Sequence, residues 1–148
     1  MTFAGMNYLA IVIAAVAGWL VGAVWYQLFA RHWVAALGST MEAFKQKQAA
    51  LKGTPKAWLP FVLALVADLV MAWMLAGVLG HLGPGQVTLR NGVISGAFLW
   101  FGFVLTTMAV NNAFAGRTYK LTAIDAGHWL AVLVAMGAII GGWGISGQ

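Results

Sequence analysis

The residues able to do chemistry in this 148-residue chain are few: three acids, three histidines and no cysteine. Two of the acids stand in apolar surroundings. Asp68 lies near the middle of a long apolar run, and Asp125 precedes His128 by three residues, so the two share a helical face. Tyr26 and Gln27 close one apolar run, Asn111 and Asn112 close another, and Arg117 falls just before Asp125. If the runs are membrane helices, Tyr26, Gln27, Asn111, Asn112, Arg117, Asp125 and His128 gather at related depths, with Asp68 deeper. A carboxyl group at mid-bilayer costs at least about 2.5–3.5 kcal/mol on insertion scales. Asp68 is then a protonatable site or an ion or solute ligand, or else a neutral carboxyl hydrogen-bonded between helices. The other seven read either as a polar site or as interhelical hydrogen-bond glue with an Arg117–Asp125 pair at the interface.

Other chemistries do not fit. Without cysteine there is no disulfide, thiolate metal site or thiol nucleophile. His32, His81 and His128 fall on separate segments, which is no zinc spacing. A bis-histidine haem needs His32 and His128 at equal depth, and His32 is expected at the surface. Ser39, Ser95 and Ser146 are not placed near a His–Asp pair, so a catalytic triad is not expected. No glycine-rich phosphate loop is present. The expectation is no catalytic residue, no metal and no cofactor.

The elements that must position these groups follow from composition. Hydrophobic residues make up 62% of the chain and charged residues 7%, where a soluble domain has about 25% charged. So little charge cannot cover a water-facing surface, and the class that remains is integral membrane. A spanning helix needs roughly 20 apolar residues, about 30 Å of hydrocarbon at about 1.5 Å per residue. Four runs qualify, at about 8–29, 58–79, 92–114 and 121–143. They are too long for barrel strands and do not alternate. The expected fold is all-α, a single transmembrane domain over 1–148 forming a four-helix bundle.

Charge placement gives direction. The net charge is +5. Arg31, Lys45, Lys47, Lys52, Lys56, Arg117 and Lys120 lie in the first and third connections, against Arg90 in the second. By the positive-inside rule both termini are outside and the 31–57 and 115–120 connections are cytoplasmic. The basic connection reads as topology and headgroup contact, not nucleic acid. The charge order around the first run is the reverse of a cleaved signal. Tyr8 and Trp143 suit the outer interface, and Trp25, Tyr26, Trp33, Trp58 and Tyr119 the inner one. Trp19, Trp73 and Trp100 lie deeper, where packing or lipid contact accounts for them. Within 31–57, Ser39 and Glu42 form a capping box for a short helix from about Thr40 to Lys52. It is either an interfacial helix on anionic headgroups or a solvated linker.

Small residues recur every three or four positions, the pattern that lets helices approach closely in lipid. The stripes are Ala10, Ala14, Gly18 and Gly22; then Pro60, Ala64, Asp68, Ala72, Ala76 and Gly80; then Gly92 and Gly96; and last Asp125, His128, Ala131, Ala135, Ala138 and Gly142. The Gly18–Gly22 stripe is expected to be a close contact, within the bundle or between subunits.

Several stretches carry a family likeness: Met6-Asn7-Tyr8-Leu9-Ala10, Gly22-Ala23-Val24-Trp25-Tyr26, Asn91-Gly92, Trp100-Phe101-Gly102-Phe103, Asn111, Phe114-Ala115-Gly116-Arg117, Leu121 and Ile124-Asp125-Ala126-Gly127. With these the chain resembles the small bacterial membrane proteins grouped as domain of unknown function 1761. The resemblance implies a four-span membrane protein with no assigned activity. It supplies no catalytic residues, and Asp68 lies outside the matching stretches.

The expected function is a structural or accessory inner-membrane protein of a bacterial cell, in contact with the lipid bilayer and with copies of itself or a larger membrane complex. One rival is a small transporter or channel built on Asp68 and the polar cluster. Another is a membrane enzyme acting on a lipid-soluble substrate. Topology is directly testable in this cysteine-free chain. Single cysteines at Thr2 and Ser146 should react with an impermeant thiol reagent from outside the cell, and one at Gln46 should be protected. External labelling at Gln46 would reverse the orientation.

Overall fold

The structure is a computed structural model describing residues 5–144, so Thr2 and Ser146 lie outside the described residues. It is all-helical. The elements are α1 (Tyr8–Leu28), α2 (Ala30–Ala36), α3 (Met41–Leu51), α4 (Pro55–Gly80), α5 (Leu89–Leu99), a π-helical segment (Trp100–Leu105), α6 (Thr106–Phe114) and α7 (Tyr119–Trp143). The run Leu89–Phe114 is continuous. With α1, α4 and α7 it makes four helices long and apolar enough to cross a membrane.

Local chemistry sets the starts. The side chains of Asn7, Thr40, Thr88 and Thr118 each accept a hydrogen bond from the backbone N–H three residues on, satisfying one of the donors that a first turn leaves open. The cap of α3 is thus Thr40 and not Ser39, one residue later than the capping-box pattern implies. Pro55 opens α4, where its missing N–H costs nothing. Between α6 and α7 the chain reverses within four residues, through Gly116 at φ 64°, a left-handed value that glycine adopts freely.

Helix α7 is the hub, packed against α1, α4 and α5. Its tightest contact is with α5. A Cβ built on Gly92 would run into the carbonyl of Gly137, one on Gly137 into the carbonyl of Gly92, one on Gly141 into that of Thr88, and one on Gly96 into that of Leu133. The two antiparallel backbones therefore touch, with no side chain between them. On the adjacent face, one residue round the helix, α7 meets α1. At Gly18 a Cβ would lie 2.6 Å from Met136 Cε and 3.1 Å from Val132 Cγ1. The Gly18–Gly22 contact is thus made within one chain. Ala10, Ala14 and Gly18 of α1 are buried, as are Asp68, Ala72 and Ala76 of α4.

On α7 the packing face differs from the expected stripe. The buried residues are Leu121, Ala126, His128, Val132, Leu133, Met136, Gly137, Ile140 and Gly141. Of the expected stripe, only His128 is among them. Ala131, Ala135 and Ala138 are half-buried, and Gly142 is exposed. The physical reason is that two small-residue stripes run along this helix. Glycine, not alanine, permits backbone contact with α5.

Two features were not expected. Helix α2 extends the first long helix past Phe29 with only a slight break. The π segment widens the third long helix at Trp100, where Thr106 Oγ1 donates to the carbonyl of Gly102 at 2.8 Å. Large apolar side chains such as Leu20, Phe61, Phe98, Phe101 and Phe103 face outward, as lipid contact requires. Helix α3 buries none of its residues.

The glycine crossing predicts a sharp contrast. Gly137→Ala should lower stability by about 1–3 kcal/mol through overpacking, read as a fall in thermal midpoint in detergent. Gly102→Ala, with nothing within 4 Å of the added methyl, should stay close to the parent. Equal midpoints for the two variants would contradict the backbone contact.

Candidate functional site

The helix ends that carry the basic connections hold most of the polar side chains. Tyr26, near the end of α1, donates from its hydroxyl to Asp125 Oδ1 at 2.8 Å. Trp33 of α2 donates its indole N–H to the same oxygen at 3.0 Å. The slight break at Phe29 lets α2 turn Trp33 back toward α7, and the Tyr26 and Trp33 rings meet edge-on at 5.4 Å. His128, one turn deeper on α7, packs against the Tyr26 ring at 5.0 Å and the Trp129 ring at 4.6 Å. Its Nε2 lies over Gly22, 2.9 Å from where a Cβ would stand. Glycine at 22 is therefore what admits the imidazole.

Backbone carbonyls of α7 take further indole donors here. Trp25 donates to the carbonyl of Ile124 at 3.1 Å, and Trp100 to that of Ala126 at 2.7 Å. A helical carbonyl has a second lone pair to offer. An indole N–H away from water must use such an acceptor. The Trp25 ring also lies against Gly127, 3.0 Å from its absent Cβ. The stretch Ile124-Asp125-Ala126-Gly127 thus receives Trp25, Tyr26, Trp33 and Trp100 in four consecutive residues. On another face of α7, Asn112 Nδ2 donates to Thr122 Oγ1 at 3.0 Å. Thr118 Oγ1 donates to the carbonyl of Ala36 at 3.1 Å, tying the last connection to α2.

Asp68 stands apart and deeper. It is 3% exposed, and its Cγ lies 3.5 Å from the position of a Gly18 Cβ, one turn of α1 from the His128 contact at Gly22. Its Oδ1 has no hydrogen-bond partner, and neither has Nδ1 of His128.

Of the residues singled out in the sequence, Tyr26, Asp125 and His128 come together. Asn112 bonds nearby through Thr122, and Asp68 is adjacent but separate. Gln27, Asn111 and Arg117 are exposed. Asp125 takes its hydrogen bonds from Tyr26 and Trp33, so the expected Arg117–Asp125 pair is not formed. Sequence reasoning missed Trp33, Trp25, Trp100 and Thr122. The signal for the indoles was the need of a buried N–H for an acceptor, which interfacial or lipid-facing placement leaves unanswered. Among the described residues no three His, Asp or Glu side chains are grouped to hold a metal ion.

A family model described as "Protein of unknown function (DUF1761)" matches residues 9–141. The chain belongs to the DUF1761 family. The DUF1761 match takes in nearly all of the four long helices and every residue of the candidate site. No curated protein and no solved structure matches the chain.

The shared acceptor oxygen makes a coupled pair of predictions. Tyr26→Phe and Trp33→Phe should each cost about 1–3 kcal/mol by removing a donor from a half-buried carboxyl group. The double variant should depart from additivity, because the two donors meet one atom. Unfolding in mixed detergent micelles measures all three. Strict additivity, or single losses too small to detect, would show that Asp125 does not rely on these donors.

Proposed function

We propose that this protein is a non-enzymatic, multi-pass protein of the bacterial inner membrane with a structural or accessory role. It works as an assembly of its own copies, with both termini outside. The observation that carries this reading is a second small-residue face on α7. Ala131, Ala135 and Ala138 are half-buried and Gly142 is exposed, away from the glycine crossing with α5 and bordered there by the Leu89 side chain. Toward the end where α7 stops, Ala138 and Gly142 line a shallow, open groove of about 500 Å³ together with Ile13, Ile139 and Trp143. Lipid chains fill such a surface poorly. A helix carrying the same kind of face fills it well, since close van der Waals packing drives association where the solvent is itself apolar. A second copy brings the same face, as a two-fold assembly requires.

The basic-end polar groups support the same reading. Asp125 and Asn112 are hydrogen-bonded across helices in the manner of structural glue. The charge bias of the connections, seven basic residues against one, supports the orientation.

Cysteine cross-linking in native membranes tests the assembly. Ala138→Cys should give a covalent dimer on oxidation. Phe98→Cys, on an exposed face of α5, should give little. Ala138→Leu should shift the parent's mass in detergent toward the monomer. A parent that is monomeric in nanodiscs, with no Ala138→Cys cross-link, would rule the assembly out.

A further inference from the structure

Asp68 Oδ1 and His128 Nδ1 are buried atoms without a hydrogen-bond partner. Their side chains are 3% and 7% exposed. Both lean on one stripe of α1, Asp68 at Gly18 and His128 at Gly22, about 6 Å apart along the helix axis. Glue does not explain them, because glue is a hydrogen bond and these atoms make none. A buried polar atom left unpaired costs about 1–3 kcal/mol. Such atoms in a native fold call for a bound water or ion, a strained packing or a reactive role.

The surrounding charge narrows the ligand. From α1 the one ionisable side chain facing the pair is Tyr26, from α4 it is Asp68 itself, and from α7 they are His128 and Asp125. The helix Leu89–Phe114 brings only Arg90, exposed at its far end, and Arg31 and His32 of α2 are exposed. No Lys or Arg is therefore at hand to balance two carboxyl groups. A metal cation needs several oxygen ligands, and where Asp68 meets Gly18 its neighbours are the apolar Val132 and Met136. A proton needs one acceptor.

We propose that Asp68 and His128 form a buried proton-binding site, entered from the basic end past Asp125 and Tyr26. Asp125 is half-buried and open to that end. The Tyr26 hydroxyl bonds to it, and the Tyr26 ring covers His128. A proton arriving on the imidazole makes an imidazolium. Its passage to the Asp68 carboxylate leaves a neutral imidazole and a neutral carboxylic acid, so charge and atoms balance. Gly18 and Gly22 add no side chain of their own between the two groups, and Met136 and Val132 of α7 pack beside them at Gly18. The site is independent of whether the protein self-associates.

Infrared titration tests this in nanodiscs. Aspartate labelled with ¹³C at the side-chain carboxyl marks only Asp68 and Asp125 in this chain, so the parent itself reports both. The expected result is a carboxylic-acid C=O band that titrates with pH, shifts on transfer to D₂O and disappears in Asp68→Asn. His128→Gln should slow the deuterium shift of that band by about tenfold or more, as loss of a proton donor–acceptor does. Circular dichroism checks that each variant is folded, and the labelled parent gives an answer if Asp68→Asn is not. Three outcomes would overturn the proposal: no Asp68 acid band at any pH, a band that neither titrates nor exchanges, or a band abolished by Na⁺ but not by choline at fixed pH. The last would assign the site to a metal cation.

Discussion

The crossing of α5 and α7 at Gly92, Gly96, Gly137 and Gly141 is the constraint on which the other contacts depend. Each glycine faces a carbonyl of the opposite helix, so the register admits no slip without a clash. The same antiparallel register carries on past the glycines and delivers the Trp100 indole to the carbonyl of Ala126. With one side of α7 fixed, its other sides are determined. Val132 and Met136 meet Gly18, and His128 meets Gly22. Helix α4 then closes on α1 and α7 with Asp68, Ala72 and Ala76 inward. In lipid the gain from this packing is dispersion between close surfaces, because burying apolar area from an apolar solvent gains little.

Absence of water governs the polar groups in the same way. Indole N–H groups find acceptors on carbonyls already bonded within a helix, as Trp19 does at Phe61, Trp25 at Ile124 and Trp100 at Ala126. Asp125 has its two donors. The interior is thus divided between a basic-end half in which Asp125 and the indoles are partnered and a central level where Asp68 and His128 each keep an unpaired atom. The first half explains how helices are held. The second is what sets this fold apart from a packing device alone.

The fold class was legible because hydrocarbon permits few solutions. Runs of more than twenty apolar residues with almost no charge can only be helices, and the Ala10–Ala14–Gly18 spacing marks a packing face where one such stripe exists. The α7 face was not legible, because spacing alone does not choose between an alanine stripe and a glycine pair on one helix. The π segment was hidden as well, since Trp100–Leu105 carries no proline and its single glycine marks no break. At the candidate site, common depth brought Tyr26, Asp125 and His128 into one group. Trp33 escaped because it lies beyond the end of the apolar run, where a loop was expected and α2 instead carries the helix on and places the indole beside Asp125. Arg117 drew attention as the nearest opposite charge in sequence. It sits in the connection between α6 and α7, where solvent and headgroups offer a cation better company than a half-buried carboxyl group.

Helix length adds a mechanical consequence. Helix α1 has 21 residues, against 26 in α4 and 25 in α7, about 31 Å against about 39 and 38 Å. The surplus turns of the longer pair begin with Lys56 and Trp58 or with Tyr119 and Lys120, side chains suited to the headgroup layer. Helix α1 reaches such side chains, Arg31 and Trp33, only past the break at Phe29, in α2. In a bilayer thicker than about 31 Å, the break at Phe29 comes within the hydrocarbon, directly after the two turns that carry Gly22, Trp25 and Tyr26. The one interruption in the first long helix thus lies beside the contacts that seat His128 and hold Asp125.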